Sequence, residues 1–326
     1  MHLKTDSFVV ESNVHFPTDY NLLWDCMRKC LDMIGKLECR HPQMKGWRKK
    51  KSWYKELKSL MRLLGRVSSG GGKQKEERQQ KITRNYLSKS NLLLIKLKKE
   101  LPSLPIENEI DLAIIISLED YIKLAQKHIN LIERRIIKKE QIPHEEKMFS
   151  IFEPYTEWKT KGKLRPNVEL GKGLAVTSDQ WGLIVDYQIM GHQQDREIVV
   201  DLSDRMSKRF LIASWSFDKG FWSKLNRDLL SLSVKNVIMP KLGNLSMDDA
   251  ALENSRIFKH LKNKHSAVES NINELEHRGL DRCPDRGEPH FDAYIGLGVC
   301  AYNLKKIGCA ILKAQCQEEK LHRKVG

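Results

Sequence analysis

The sequence predicts an α/β protein, a mixed β-sheet flanked by helices and interrupted after its first strand by a long all-helical insertion. Three observations carry this expectation. Residues 2–12 (HLKTDSFVVES) alternate weakly and are rich in Val, Phe and Thr, the texture of a strand. From residue 19 to residue 140 no strand-like run is found, only helical periodicity. After Pro143 short β-branched and aromatic runs begin to alternate with helical ones.

The elements follow in order. Thr18 or Asp19 can cap a helix whose apolar positions Leu22, Leu23, Cys26, Cys30, Met33 and Ile34 recur at helical spacing. Gly70–Gly72 breaks the chain, and KQKEERQQKITRN beyond it reads as a solvated helical face. Pro102 and Pro105 mark a turn before a long amphipathic helix lined by Leu118, Ile122, Ala125, Ile129, Ile132 and Ile136. KMFSIFEPYTEWKTKGKL holds turn signals and aromatics, and VELGKGLAVTSDQWGLIVDYQIM reads as two strands joined by SDQWG. DREIVVDLSDRMSKRF is helical, LIASWSFD a strand, FWSKLNRDLLSLSV a helix and NVIMP a short strand. One long helical stretch runs from Ser246 or Asp248 through HRG, and FDAYIGLGVCAYNLKKIG forms a final helix. The expected organisation is therefore a first strand in 1–18, a helical insertion over 19–145, the remainder of the α/β domain over 146–310 and a tail over 311–326. An insertion of that length is too long for a loop and should pack as its own unit.

Composition narrows the class of partner. With 40% hydrophobic and 30% charged residues the chain is globular rather than disordered. The net charge of +15 favours a polyanionic partner, since each neutralised phosphate releases condensed counterions. The longest aliphatic runs, at 92–95 and 112–116, fall far short of the ~20 apolar residues of a membrane span. MHLKTDSFVVES lacks the apolar core of a signal peptide. Seven Cys in no scaffold pattern read as free thiols in a reducing cytoplasm.

Three acidic residues stand in settings that can converge on a divalent cation. Asp6 lies within the first strand, where propensity disfavours it, although a water-facing edge carboxylate would look the same. Glu11, five residues on, faces the other way. Asp218 closes LIASWSFD before Lys-Gly-Phe-Trp, a place where turn chemistry alone also puts Asp. Glu269 shares a helix face with Ile272 and Glu276, whereas Glu274 points elsewhere.

The words DSFVVESNVHFPTDYNLLWD, SFDKGFWS and VESNINELEHRGL, with IFEPYTEWKTKGK and VELGKGL between the first two, resemble the ordered motifs of DDE-type transposases of bacterial insertion sequences. The resemblance runs from Asp6 to about Leu304. It implies an RNase H-like catalytic domain, whose order of strand, hairpin, helix, strand, helix, strand, helix the elements above follow. It also implies DNA transposition: metal-dependent strand cleavage at the ends of the element, then transfer by a DNA 3′-OH. Asp6, Asp218 and Glu269 would be both catalytic residues and ligands of two Mg²⁺ ions, with Mn²⁺ as a substitute. The implied partners are double-stranded DNA with terminal inverted repeats and a second copy of the chain on that DNA, with no membrane. The implied place is the bacterial cytoplasm, at the nucleoid. Two departures stand out. Position 276 holds Glu where the family usually has a basic residue, leaving Arg278, His265 or Lys264 to supply that charge. Only five residues precede Asp6, where family members carry a helical DNA-binding region. The chain is thus expected to be the catalytic part of a longer protein, or an inactive remnant that still binds DNA.

The remaining clusters are assigned by local chemistry. Arg48, Lys49, Lys50 and Lys51 between Trp47 and Trp53 suit a nucleic-acid surface, or else a solvated helix with its rings in the core. Lys161, Lys163 and Arg165 form a second basic patch beside the hairpin. Cys26, Cys30, Cys39 and His41 permit zinc, but the Cys-x3-Cys pair sits in an apolar helix and reads as core. Cys300 and Cys309 read as buried, and Gly70–Gly72 lacks the Lys-Ser/Thr of a phosphate loop.

Overall fold

The computed structural model describes residues 1–72, 74–160 and 168–325, with side chains through residue 317. The chain divides into two compact units, His15–Pro154 and the pair of segments Met1–Val14 with Tyr155–Gly326. Among the described residues the protein is α/β, with one mixed seven-stranded sheet and nine α-helices.

The first of these units is helical. It contains α1 (Asp19–Arg40), α2 (Lys50–Ser69), α3 (Lys75–Glu100) and α4 (Glu109–Ile132). Thr18 caps α1 by accepting from the Asn21 N–H, and Asn108 caps α4 by accepting from Ile110 and Asp111. The apolar stripe of α1 (Leu22, Leu23, Cys26, Cys30, Ile34) packs with that of α4 (Leu118, Ile122, Ala125, Ile129, Ile132) in one core. A polar clamp fixes the far end of α1. Asp111 is fully buried and accepts from Arg40 Nε at 2.5 Å, while His41 Nε2 lies 3.0 Å from its other oxygen. The Arg40 hydrogen bond holds the Asp111 carboxyl below its usual range.

The other unit is built on the sheet. Strand β1 (His2–Ser12) lies at its centre, antiparallel to β3 (Val168–Ser178) and parallel to β5 (Ser214–Phe217). The outer edge of β3 is shared by β2 (Glu157–Thr160) and β4 (Ile184–Met190), and β5 pairs in parallel with β6 (Asn236–Ile238). A two-residue strand, β7 (Arg282–Cys283), pairs with β1 at Glu11 and Ser12. The predicted hairpin is present as β3 and β4, while β2 and β7 have no counterpart in the sequence reading. Both are too short for alternation to register.

Helices cover the two faces of the sheet. Leu3, Ala175, Trp215 and Phe217 face a core shared with α5 (Val199–Arg209) and α6 (Lys224–Leu230). Phe8, Val10, Leu174 and Val176 face the opposite core, built with α8 (Arg256–Leu275) and α9 (Glu288–Val325). The stretch expected as one helix after Ser246 is two, because α7 (Met247–Asn254) stops and Ser255 caps α8 through the Phe258 N–H. The final helix runs on through Val325. Over Glu288–Gln317 it is long and apolar enough to cross a membrane by length and composition, which a count of unbroken aliphatic runs had missed. Its first half is nonetheless packed through Phe291, Ile295, Val299 and Tyr302, while Leu304, Ile307, Ile311 and Leu312 are exposed.

Gly171 shows how closely β1 is held. It pairs with Glu11 on one side and Glu157 on the other, and a Cβ there would stand 1.9 Å from the Val10 carbonyl oxygen. Gly171→Ala should therefore destabilise the protein by more than about 3 kcal/mol, since backbone would have to move. Gly173→Ala meets only the flexible Met190 side chain, at 3.3 Å, and should cost far less. Urea unfolding of both variants measures the contrast, and equal midpoints would contradict this account of the β1–β3 approach.

Candidate functional site

Parity along β1 decides what meets at the site. Even positions from His2 to Val10 point to the α8 and α9 side, odd positions to the α5 side. In the parallel pairing Lys4 lies opposite Ser216 and Thr5 opposite Phe217, so the next step sets Asp6 beside Asp218 on the same face. There β5 ends, and among the described residues β1 has no strand on that edge until β7 joins at Glu11. The site occupies this gap, outside the carboxyl end of a parallel strand. Helix α8 crosses the same face with Phe258, His265, Val268 and Ile272 buried, which carries Glu269 to it.

Asp6 is half-buried, and its pKa is pushed up to about 7, first by burial and then by the charges of Asp218, Asp195 and Glu269. Its Oδ1 accepts from the Ser7 N–H at 2.7 Å, which opposes the shift. Asp218 and Glu269 are exposed. Of the three carboxylates expected to converge, Asp218 and Glu269 both act on the Asp6 charge. Among the described residues, however, no three His, Cys, Asp or Glu side chains stand close enough together to hold one metal ion.

Asp195 is the residue the sequence reading missed. It begins a single 3-10 turn, Asp195–Glu197, ahead of α5 and reaches the site around the end of β5. Ser7 Oγ donates to its Oδ1 at 2.7 Å. Its Oδ2 would lie only 2.6 Å from a Cβ placed at Gly220, so a side chain in the Asp218-Lys-Gly turn would have to displace the Asp195 carboxylate. Burial raises the Asp195 carboxyl, the Ser7 hydrogen bond opposes this, and Asp218 adds to the rise. An acid at the head of a helical word is ordinary helix-start chemistry, so residue type alone did not separate it from a cap.

The other expected residues are placed as follows. Glu11 accepts from Arg282 Nη2 at 2.5 Å, a structural ion pair away from Asp6. Glu274 is paired with Arg278, Lys305 and Lys306, so Arg278 is held on the α9 side of α8. Glu276 lies beyond the end of α8, in the π turn Glu276–Leu280. His265 Nδ1 lies 3.0 Å from Ser216 Oγ, and its buried Nε2 has no partner among the described residues. Arg48, Lys49 and Lys51 are exposed, whereas Lys50 is paired with Glu38. The rings between them belong to the core. Trp47 is buried with Lys96 Nζ 4.5 Å from its centroid, and Tyr54 meets Trp24 edge-on at 4.9 Å. Lys161, Lys163 and Arg165 lie outside the described residues. Cys26 and Cys30 pack in the helical core, where burial pushes the Cys30 thiol up to about 12, and His41 is bound to Asp111. Cys300 and Cys309, expected to be buried, are exposed on α9.

The Asp6 shift has a sign that stability measurements can read. A carboxyl raised in the fold favours the protonated native state. Its contribution is complete below the unfolded pKa near 4 and is lost as pH rises through about 7. Asp6→Asn, which cannot ionise, should therefore be more stable than the parent at pH 8 by up to a few kcal/mol, at about 1.4 kcal/mol per pKa unit. The gap should narrow towards pH 5. Thermal unfolding across this range tests it, and a gap independent of pH would refute the burial of a strained carboxyl.

No protein-family model, curated protein or solved structure matches this chain.

Proposed function

We propose that the chain is the RNase H-like catalytic part of a DDE-type DNA transposase, which cuts and joins DNA strands with divalent metal. The observation that carries this reading is the register of β1 on β5. Thr5 pairs with Phe217, so one further step along that register would set Asp6 beside Asp218 on the face crossed by α8, and both Asp218 and Glu269 act on the Asp6 charge. The order strand, hairpin, helix, strand, helix, strand, helix, with a helical unit entering after the first strand, supports the same reading.

The donor set suits a hard cation. Carboxylate oxygens are the ligands Mg²⁺ prefers, and Asp6 keeps one oxygen beyond that bound to the Ser7 N–H. Asp6, Asp218 and Glu269 would hold the metal, with Asp195 beside them. Bound there, Mg²⁺ would lower the barrier to in-line attack at phosphorus by stabilising entering and leaving oxygens. Gly220 keeps the turn after β5 slim, so that a phosphate can approach without meeting a side chain. Ser7 fixes Asp195 by its hydroxyl and Asp6 by its N–H, holding two carboxylates from opposite faces of the sheet.

A second reading, a protein that binds DNA without cutting it, is favoured by one observation. No three candidate ligands among the described residues are close enough to share an ion. Nicking of DNA carrying the element's terminal inverted repeats separates the two. With Mg²⁺ the parent should nick and Asp218→Asn should lose at least about 100-fold in rate, the scale of losing transition-state charge stabilisation. DNA affinity should be retained in that variant. Equal nicking by both proteins would remove Asp218 from the chemistry, and no nicking by either would leave the binding reading.

The exposed cations of α2 and the residues just before it, Arg48, Lys49 and Lys51, are assigned to DNA phosphates, with Lys50 excluded by its pairing to Glu38. With the neighbouring rings in the core, this face can contribute charge but not base stacking. The triple Ala variant should bind every duplex more weakly, and its log K against log salt slope should flatten by roughly 0.9 per lost contact. Discrimination between sequences should stay as it was. Titrations at several salt concentrations decide it, with an unchanged slope showing a merely solvated face.

A further inference from the structure

The face that carries Asp6 and Asp218 continues past them in the N-terminal direction. The β1–β5 register pairs His2 with Ser214 and Lys4 with Ser216, on the same face as the two carboxylates. These side chains, with Gln180 and Lys264, line a cavity of about 350 Å³ beside α8. No carboxylate lines it. Two lysines, Lys4 and Lys264, stand in its lining together. Lys4 Nζ donates to the Asp179 carbonyl at 2.8 Å, and the Asp179 carboxylate, which partly offsets Lys4, is engaged by the Trp181 and Leu183 N–H groups. The Ser214 and Ser216 hydroxyls are buried and already oriented, by His2 and His265 respectively.

We propose that this cavity is a phosphate subsite, in which Lys4 and Lys264 supply charge and the Ser214 and Ser216 hydroxyls supply hydrogen bonds to a phosphate oxyanion. Two lysines with two hydroxyls and no lining acid are the chemistry that recognises such a group. The volume is that of a small-ligand pocket and accepts a nucleotide unit rather than a bare ion only. Lys4 and Asp6 are two strand residues apart, roughly 6.6 Å along β1, the scale of one step between successive phosphates of an extended strand. A nucleic-acid strand with one phosphate at the carboxylates would therefore set a neighbouring phosphate at the cavity. That placement rests on the proposed function; the affinity for phosphate does not. A free nucleotide offers the same group, and the test separates the two sources.

The experiment uses the full chain and three probes: inorganic phosphate, a nucleoside 5′-monophosphate and a short single-stranded oligonucleotide. Each is titrated calorimetrically against the parent, Lys264→Gln, Ser214→Ala and, as a control, the exposed Lys235→Gln. Phosphate should bind the parent above a chloride control of equal ionic strength, and Lys264→Gln should weaken it by roughly tenfold, the loss of one charge-assisted contact. Ser214→Ala should weaken it less, and Lys235→Gln should leave it unchanged. Because Lys264 is exposed, its variant is expected to fold, which unfolding curves verify. A Lys264-dependent loss for the oligonucleotide supports the strand as source; a loss for phosphate and monophosphate alone supports a free nucleotide. No phosphate binding by the parent, or equal losses in Lys264→Gln and Lys235→Gln, overturns the proposal. Absence of nicking by the parent together with Lys264-dependent phosphate binding would sink the transposase reading and leave the pocket standing.

Discussion

The sheet unit depends on the grip on β1. Like β3, this strand is bound along both edges by three others, and its register fixes which side chains share a face. Below the site the grip is reinforced on the α5 side by a stitch across three strands. Trp215 Nε1 donates to Thr5 Oγ1 at 2.8 Å, and Thr5 shares a 2.7 Å hydrogen bond with Thr177. Above it, β3 approaches β1 so closely at Gly171 that a residue with a Cβ brought there would meet the Val10 carbonyl. A one-residue shift would carry Asp6 to the other face and put Ser7 beside Asp218. The site is thus a consequence of register before it is a consequence of any side chain.

Period-two reasoning made much of this legible. Asp6 and Glu11 were separable by parity alone, and their different partners, carboxylates for one and Arg282 for the other, follow from it. The hairpin, the α1 stripe and its Thr18 cap were carried by strong local signals. What stayed hidden depended on tertiary context. Asp195 arrives from a turn whose sequence differs in no way from an ordinary helix start. The strands β2 and β7 exist because β3 and β1 offer them open edges, not because four and two residues prefer to be extended. In the basic aromatic word Lys50 is paired with Glu38, and Trp47 is buried beneath Lys96 rather than beneath the cations that flank it in sequence.

Burial and neighbouring like charge both act against ionised Asp6, and that combination is the most telling physical property of the site. A carboxyl in the middle of a sheet could lower its cost by pairing with a cation, as Asp111 does with Arg40 in the helical unit. Asp6 does the reverse: the charges acting on it are those of Asp218, Asp195 and Glu269. The Lys4 amine on the same face is turned to the Asp179 carbonyl, and the Ser7 N–H is the group that favours ionised Asp6. A fold that tolerates this repulsion gives up stability that a rearranged side chain could recover. Such unrelieved like charge is the arrangement in which a divalent cation gains most by binding. The same face passes from amine and hydroxyl to carboxylate within two strand residues, so anion and cation preferences adjoin along one line. A polyanion bridged to the carboxylates by metal would find both ends of that line complementary to it, which neither cluster alone would supply.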